Sequence, residues 1–388
     1  MLHPIQKSQK WLISMALILI VLVSSCAGPQ VQPPAPTLPP AQPTAIQVET
    51  SDTLPGWLAV YFTNPNPPDV LGSGIDQNVV PLLTGATATI DVTSLDLNLP
   101  SVVNALADAS KRGVAVRVVY DGTNGVQDLD NADTGHQPFD AVKVLSAANV
   151  KLVNGGRSSG LMHDKMIIVD SKTLFMGSWN LSYNDTYRNN NNLLKITDPK
   201  LIANYQAKFN ELFVDHKFGS HAQVKVPYPS LSIDGVQVEN YFAPEDHVMD
   251  KLVSYVQNAK KSVHYMIYTY TDTDLANAMI AQSQAGLDVQ GVIEERASTE
   301  GALVPLFCAK LPVKVDGNKY TMHHKVIIID GETVITGSFN FTKSADTVND
   351  DNVLVIHSPA VAALYEQEFQ RIYGAGSAPK AAAIKCKK

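Results

Sequence analysis

The chain has 388 residues, 45% of them hydrophobic and 17% charged, and a formal net charge of −7. That length suits two ordinary domains, each with a core of its own, and excludes a wholly disordered chain. The negative balance argues against coating nucleic acid through a broadly basic surface, while a local basic groove stays compatible with it.

At the N-terminus His3, Lys7 and Lys10 precede an apolar run from Trp11 to Val23, too short to span a bilayer comfortably and of signal-peptide proportions. Val23-Ser24-Ser25-Cys26 closes it and resembles the lipobox of bacterial lipoproteins, whose cysteine becomes the lipidated first residue. That resemblance implies a signal peptide over 1–25, lipidation at Cys26, and a chain exported and anchored to the outer face of a bacterial cell membrane. A cleaved secretory signal or an ordinary membrane helix is the alternative. Residues 26–54, Pro-rich between Pro29 and Pro43, cannot bury a core and are expected to form an extended tether. Loss of 1–25 leaves 28 basic and 37 acidic residues, a net charge of −9.

The body of the chain is a duplication. Leu99 to Asp121 reads as an amphipathic helix, a glycine stop at Gly113 and a β-branched strand, and Thr273 to Glu295 repeats the plan with Gly286. Further on, strands Asn192 to Thr197 and Asn352 to His357 each lead into a closing helix, Pro199 to Phe213 and Pro359 to Tyr373. The expected fold is α/β: two similar lobes, 55–219 and 235–375, each a mixed, mainly parallel sheet flanked by helices, packed with pseudo-two-fold symmetry. Residues 220–234 read as the linker and 376–388 as a basic flexible tail carrying Lys380, Lys385, Lys387 and Lys388. After Cys26 only Cys308 and Cys386 remain. Export permits them to pair, and spacing leaves the matter open. No cysteine or histidine spacing has the form of a zinc site.

Within the duplication lies the pattern His-x-Lys-x-x-x-x-Asp, as His163, Lys165 and Asp170 and again as His323, Lys325 and Asp330, 160 residues apart. Each copy runs into an apolar strand, Met166 to Val169 or Val326 to Ile329, and then into Gly177-Ser178-Trp179-Asn180 or Gly337-Ser338-Phe339-Asn340. Alternation on a strand puts His163 with Lys165 on one face and His323 with Lys325 on one face. Asp170 and Asp330 have the other parity at a turn, from which they are expected to bend back and orient an imidazole. His324 has the wrong parity for the site and reads as structural. Tyr268 and Tyr270, on one face of an expected strand Val263 to Tyr270, are either a pocket wall or packed core. A lone histidine or lysine means little, but two copies at identical spacing are hard to explain by packing.

These residues resemble the phospholipase D superfamily, whose signature is this doubled motif with its Gly-Ser-x-Asn extension, and the resemblance covers nearly all of residues 55–375. It implies phosphodiester cleavage without a metal or other cofactor, in a centre completed by both lobes of one chain acting as a monomer. One histidine, by family habit His163, would attack phosphorus and form a phosphohistidine. His323 would protonate the leaving oxygen and later activate water. Lys165 and Lys325, with Asn180 and Asn340 and the Ser178 and Ser338 hydroxyls, would bind the phosphoryl oxygens. Asp330 would support His163, and Asp170 would support His323, across the interface. The patches Asn189 to Asn192 and Asn349-Asp350-Asp351-Asn352 resemble the family's polar segment before the next strand, in which the second lobe keeps an acid and the first has asparagines.

The membrane-anchor reading and the acidic body favour a phospholipid headgroup diester as substrate. An extracytoplasmic endonuclease acting on DNA or RNA is the alternative, and a surface-tethered phosphodiester-binding protein is a third. The third predicts a missing motif member, and none is missing.

Overall fold

Two mixed sheets hold the centre of the molecule, each ordered by the alternation of strands and helices seen in the sequence. The computed structural model describes residues 54–129, 138–297, 301–380 and 384–386, so the signal-type segment, Cys26 and the tether up to residue 53 lie outside the described residues.

In the first lobe the strands are β1 (Leu58–Phe62), β2 (Thr89–Ser94), β3 (Ala115–Tyr120), a small ribbon of β4 (Asp128–Leu129) and β5 (Phe139–Asp140), β6 (Lys151–Asn154), β7 (Met166–Val169), β8 (Thr173–Gly177) and β9 (Asn192–Ile196). Seven of them form a sheet in the order β1-β9-β8-β7-β2-β3-β6. In the second lobe β10 (Ser230–Ile233), β11 (Val236–Ala243), β12 (Ser262–Ile267), β13 (Asp288–Ile293), β14 (Val313–Val315), β15 (Lys325–Ile329), β16 (Thr333–Gly337) and β17 (Asp351–His357) are ordered β10-β11-β17-β16-β15-β12-β13-β14.

The sheets are mixed, as expected, but antiparallel pairs predominate over parallel ones. Only β2-β3-β6 and β12-β13-β14 run parallel, through helical crossovers, whereas each motif strand returns directly as a hairpin, β7 to β8 and β15 to β16. A parallel return needs a crossover of a dozen residues, and the three between Val169 and Thr173 allow only an antiparallel one.

The helices lie where the signals put them. Pro100–Lys111 and Thr273–Gln284 end before Gly113 and Gly286, at φ 95° and 94°, where a side chain would be strained. Pro199–Phe213 and Pro359–Ala375 start with proline in the first turn after Asp198 and Ser358, whose side chains accept hydrogen bonds from the opening N–H groups.

Strand alternation assigns each side chain to a core. Met166, Ile168, Leu174, Met176, Val326, Ile328, Val334 and Leu354 join one buried cluster fed by both lobes and by the two closing helices. Ile167, Val169 and Phe175 pack in a cluster belonging to the first lobe, and Ile327, Ile329 and Ile335 in one belonging to the second.

Two boundaries differ from expectation. Ser230–Ile233, inside the expected linker, pairs with β11 as an edge strand, because Leu231 and Ile233 alternate into the shared core. The expected flexible tail is held down in its described part: Ser377 bridges to Val315, and Cys386 forms a disulfide with Cys308 at a Cα separation of 5.5 Å.

Candidate active site

Each motif histidine is delivered to the seam by a short parallel bridge to the opposite lobe. Met162 pairs with Asp350, and the His163 N–H donates to the Asp350 carbonyl at 2.9 Å. Met322 pairs with Asn190, and the His323 N–H donates to the Asn190 carbonyl at 2.8 Å. Met162, buried in the shared core, leaves His163 and Lys165 on the other face, as alternation requires. All four of His163, Lys165, His323 and Lys325 are buried, and each lysine Nζ donates to the carbonyl of its motif histidine at 2.9 Å.

The aspartates of the motif are elsewhere. Asp170 and Ser171, at φ 50° and 53°, form the tip of the β7-β8 hairpin. There the Asp170 carboxylate accepts from the N–H groups of Thr87, Ala88 and Thr89 at the entry to β2. Asp330, at φ 59°, accepts likewise from Lys260, Lys261 and Ser262 at the entry to β12. Burial pushes the Asp170 carboxyl up, but the three N–H donors outweigh it and hold it down at about 2. The expectation that these aspartates orient imidazoles is therefore corrected. Their parity and the hairpin turn carry them outward, where they staple neighbouring strands.

The imidazole partners come from the polar segments before β9 and β17, across the seam. His163 Nδ1 lies 2.7 Å from Asp351 Oδ1. His323 Nδ1 lies 2.9 Å from Asn191 Oδ1, with Asp185 Oδ2 at 3.5 Å. The cross-lobe pairing stands, and the residues that make it are different from those expected.

Ser178 and Ser338 are also reassigned. The Ser338 hydroxyl donates to Asp351 Oδ1 at 2.6 Å and accepts from the Asn352 N–H, while Ser178 donates to Asn191 Oδ1 at 2.8 Å and accepts from the Asn192 N–H. Both hydroxyls brace the group that holds an imidazole and have no hydrogen left to donate to a phosphoryl oxygen. The glycine before each is required: at φ 151° and 157°, a Cβ on Gly177 or Gly337 would lie 2.4 Å from the Asn192 carbonyl oxygen or 2.1 Å from that of Asn352.

Asn180 and Asn340 keep a buried side-chain oxygen with no protein partner, in both copies of the repeat. An unsatisfied buried oxygen is costly, and turning each amide over would bring its NH2 into the same space to donate to a ligand's oxygen.

Burial and the crowding of cations set the electrostatics. Burial and Lys165 push the His163 imidazole below its usual value despite Asp351, and burial, Lys325 and Lys165 push His323 well below. Burial depresses the Lys165 ammonium, and burial with Lys165 nearby takes Lys325 well below the ordinary lysine range. Asp351 is driven up by burial, but His163 and Lys165 more than compensate, and it is held below the usual carboxylate value. A neutral imidazole therefore donates Nδ1–H to an ionised carboxylate, and its Nε2 lone pair is available. Two buried, closely set lysines favour an anion between them.

Three further residues were not singled out or were left open. Asp185, on the short helix Tyr183–Tyr187, also accepts from the Asn180 N–H and from the Asn189 amide. Tyr268 sits edge-on to His323, ring centres 4.8 Å apart, with Lys325 Nζ 4.8 Å from its ring, whereas Tyr270 is core. Strand β12 ends at Ile267, which is why the two tyrosines part company. Asp96, between β2 and the helix Pro100–Lys111, is raised to about 6 by burial and feels Asp185 and Lys165. His324, as expected, is a buried structural group, its Nε2 2.8 Å from Glu368.

Residues 79–213 and 252–373 match the family described as "Cardiolipin synthase, PLD-like domain". The chain belongs to the phospholipase D-like family. Its relatives include a mitochondrial cardiolipin hydrolase of Chlamydomonas reinhardtii, 24% identical over 47% of this chain and 92% of the relative, and a phospholipase D of Rickettsia prowazekii, 31% identical over 40% of this chain and 78% of the relative. Among solved structures, the phospholipase D family member Nuc from Salmonella typhimurium is 32% identical over 38% of this chain and 99% of its own, with a TM-score of 0.36. A phosphatidylserine synthase of Haemophilus influenzae, 13% identical, covers 82% of this chain and 89% of its own with a TM-score of 0.63, a likeness of fold. The phospholipase D-like chain is a phosphodiester hydrolase with two lobes of that fold.

Proposed function

We propose that the chain hydrolyses headgroup diesters of phospholipids through a phosphohistidine on His163, with His323 as acid and then base. The observation that carries this division of labour is the inequality of the two imidazole partners, a carboxylate at 2.7 Å on His163 Nδ1 against an amide at 2.9 Å on His323 Nδ1, with the Asp185 carboxylate standing back at 3.5 Å. A carboxylate makes the far nitrogen the better nucleophile, whereas an amide oxygen fixes the tautomer with little gain in basicity.

His163 Nε2 attacks phosphorus, the bond to the leaving oxygen breaks, and that oxygen takes the proton from His323 Nε2. Water then attacks phosphorus and passes a proton to the now neutral His323, the P–N bond breaks with its electron pair returning to His163, and the charged His323 is regenerated. Lys165 and Lys325 neutralise the non-bridging oxygens, and Asn180 and Asn340 donate amide hydrogens to them. An anionic diester between the lysines restores the proton affinity that the free site denies to His323.

The names of the relatives, which include cardiolipin hydrolases and phospholipases D, support lipid as the substrate. So does the lipoprotein-like N-terminus, by which the enzyme would act tethered outside the cell membrane.

The decisive assay gives the chain phosphatidylcholine-based vesicles containing anionic phospholipid, or single-stranded DNA, each with EDTA. His323→Ala is then incubated with phosphorus-labelled substrate and digested for mass spectrometry. Headgroup release together with a phosphatidyl group on His163 supports the reading. Cleavage of DNA alone overturns the substrate, and a phosphatidyl group on His323 of the His163→Ala variant overturns the division of roles.

A further inference from the structure

At His163 the two lobes meet through three successive residues on each side. Met162 pairs with Asp350 along the backbone, and His163 meets Asp351 on the catalytic face. Asp164 meets Asn352 on the opposite face, where Asn352 Nδ2 donates to Asp164 Oδ1 at 2.9 Å. Asp164 thus lies between His163 and Lys165 in the chain, fully buried, and grips the residue next to the carboxylate that holds the imidazole.

That bond is half of a pair that one proton would complete. Asp164 Oδ2 and Asn352 Oδ1 are both buried and without a protein partner. A carboxylic acid and an amide close two hydrogen bonds, the amide N–H to the carboxyl oxygen and the carboxyl O–H to the amide oxygen, whereas a carboxylate makes only the first. Turning the amide over exchanges which oxygen is served and leaves the same shortfall.

Nor does a cation answer an ionised Asp164. The helix Pro199–Phe213 brings Lys208 near it, but Lys208 Nζ is committed to Glu211 at 3.1 Å and Glu245 at 2.7 Å, and among the described residues Asp164 makes no ion pair. Tyr205 of the same helix, Asp350 and Asp351 across the seam and Lys165 on its own strand are the other titratable groups that act on it or feel it. Burial, helped by Asp350 and Asp351, drives the carboxyl up to about 7 against Lys208 and the Asn352 bond.

The 160-residue repeat supplies a control. Asp164, Lys208 and Glu211 correspond to His324, Glu368 and Arg371, with the charges reversed. There His324 Nε2 lies 2.8 Å from Glu368, its Nδ1 lies 3.3 Å from Asn192 Oδ1, and Asn192 Nδ2 donates to Thr336 Oγ1 and the Tyr365 hydroxyl. Both ends of that amide are used, and of the two amides only Asn352 has an oxygen left over.

We propose that Asp164 is a positioning residue for His163 and works as the neutral carboxylic acid, its O–H donating to Asn352 Oδ1 so that two hydrogen bonds hold Asp351 in register with the imidazole. Ionisation removes the second bond, sets another negative charge behind the Asp351–His163 pair, and loosens it. The inference rests on the role given to His163 above and on no particular diester.

The test uses the full chain. A difference infrared spectrum of wild type against Asp164→Asn at about pH 6, below the Asp164 value, contains the C=O band of a protonated carboxyl that the variant lacks. On bis(4-nitrophenyl) phosphate, Asp164→Ala lowers kcat by about tenfold, the low end for loss of a group that orients an imidazole. Asp164→Asn recovers most of that loss, because its NH2 supplies the second donor. The ratio of kcat, Asp164→Asn over wild type, rises as pH passes about 7, since only the wild type then loses a hydrogen bond, and titration of His323 is common to both and cancels. The band and the ratio stand even where the alanine variant does not fold. No protonated-carboxyl band, an asparagine variant as slow as the alanine one, or a ratio flat with pH overturns the proposal, for that is the behaviour of a carboxylate kept for its charge beside Lys208. His163→Ala, run alongside, separates the failures: turnover as fast as wild type overturns the reading of His163 itself.

Discussion

Asp185 Oδ2 lies 3.5 Å from His323 Nδ1, although the residue at the matching position of the second lobe is Ala345. The first lobe has an asparagine, Asn191, where the second has Asp351, and its carboxylate comes instead from a helix one short loop earlier. If Asp185 stands in for the missing strand carboxylate, then Asp185→Ala lowers kcat by about 10- to 100-fold, the range for loss of a group that orients an imidazole. Asp185→Ala with Asn191→Asp recovers much of it, because that pair of residues is the one with which the second lobe holds His163. Steady-state kinetics on bis(4-nitrophenyl) phosphate checks this. A double variant no better than the single one counts against the substitution of one carboxylate for the other.

The pH profile follows from two depressed groups. Attack needs neutral His163, which burial keeps below 6.5, so kcat/KM falls on the acid side only below that value. The acid is His323, which burial, Lys325 and Lys165 hold well below 6.5 in the free enzyme that kcat/KM reports, so the alkaline limb is set by that imidazole before either lysine loses its proton. Asp351 raises His163, so Asp351→Asn moves the acid limb to still lower pH while lowering kcat. A profile of kcat/KM between about pH 4 and 11 measures both limbs.

Asp170→Ala and Asp330→Ala are expected to cost stability and leave chemistry almost intact. Each carboxylate satisfies three backbone N–H groups, a role like that of a helix cap, worth about 1 kcal/mol. Thermal unfolding shows the loss, and kcat stays within about threefold of wild type, inside ordinary variation for a site not touched. Both carboxyls are held low, so their contribution is present above the unfolded carboxylate value near 3.9 and is lost as pH falls through each folded value, about 2 for Asp170.

Cys386→Ser frees the end of the chain from a loop whose ends are 78 residues apart. A cross-link over such a length stabilises by about 2–4 kcal/mol, chiefly by restricting the unfolded chain. Unfolding with and without reductant should differ by that order in the wild type and coincide in the variant, and kcat should be unchanged in both.

Much of this was legible in the residues. Identical spacing of His163, Lys165 and Gly177 with His323, Lys325 and Gly337 requires a repeated strand and hairpin, since a period-two apolar run admits one way of hiding alternate side chains. The closing helices and their glycine and proline boundaries follow from local backbone preference, which needs no distant partner. What was misread is the reach of Asp170 and Asp330. Their motif spacing is constant, but constancy is also what a hairpin tip demands, and no local signal separates a staple from an imidazole partner. The signal that could have found Asp351 and Asn191 was present: both follow the Gly-Ser-x-Asn tetrapeptide at the same interval, and one of the pair is acidic.

The amino-acid order alone determined the duplicated lobes, the strand-borne histidines and lysines, and the phosphodiester chemistry, because spacing along a strand or helix dictates which side chains share a face. Only the tertiary structure decided who touches whom across the seam: Asp351 with His163, Asn191 and Asp185 with His323. Those contacts join residues more than a hundred positions apart. They arise from the register in which two separately folded sheets pack, and such a register is a property of complementary surfaces that no short stretch of sequence contains.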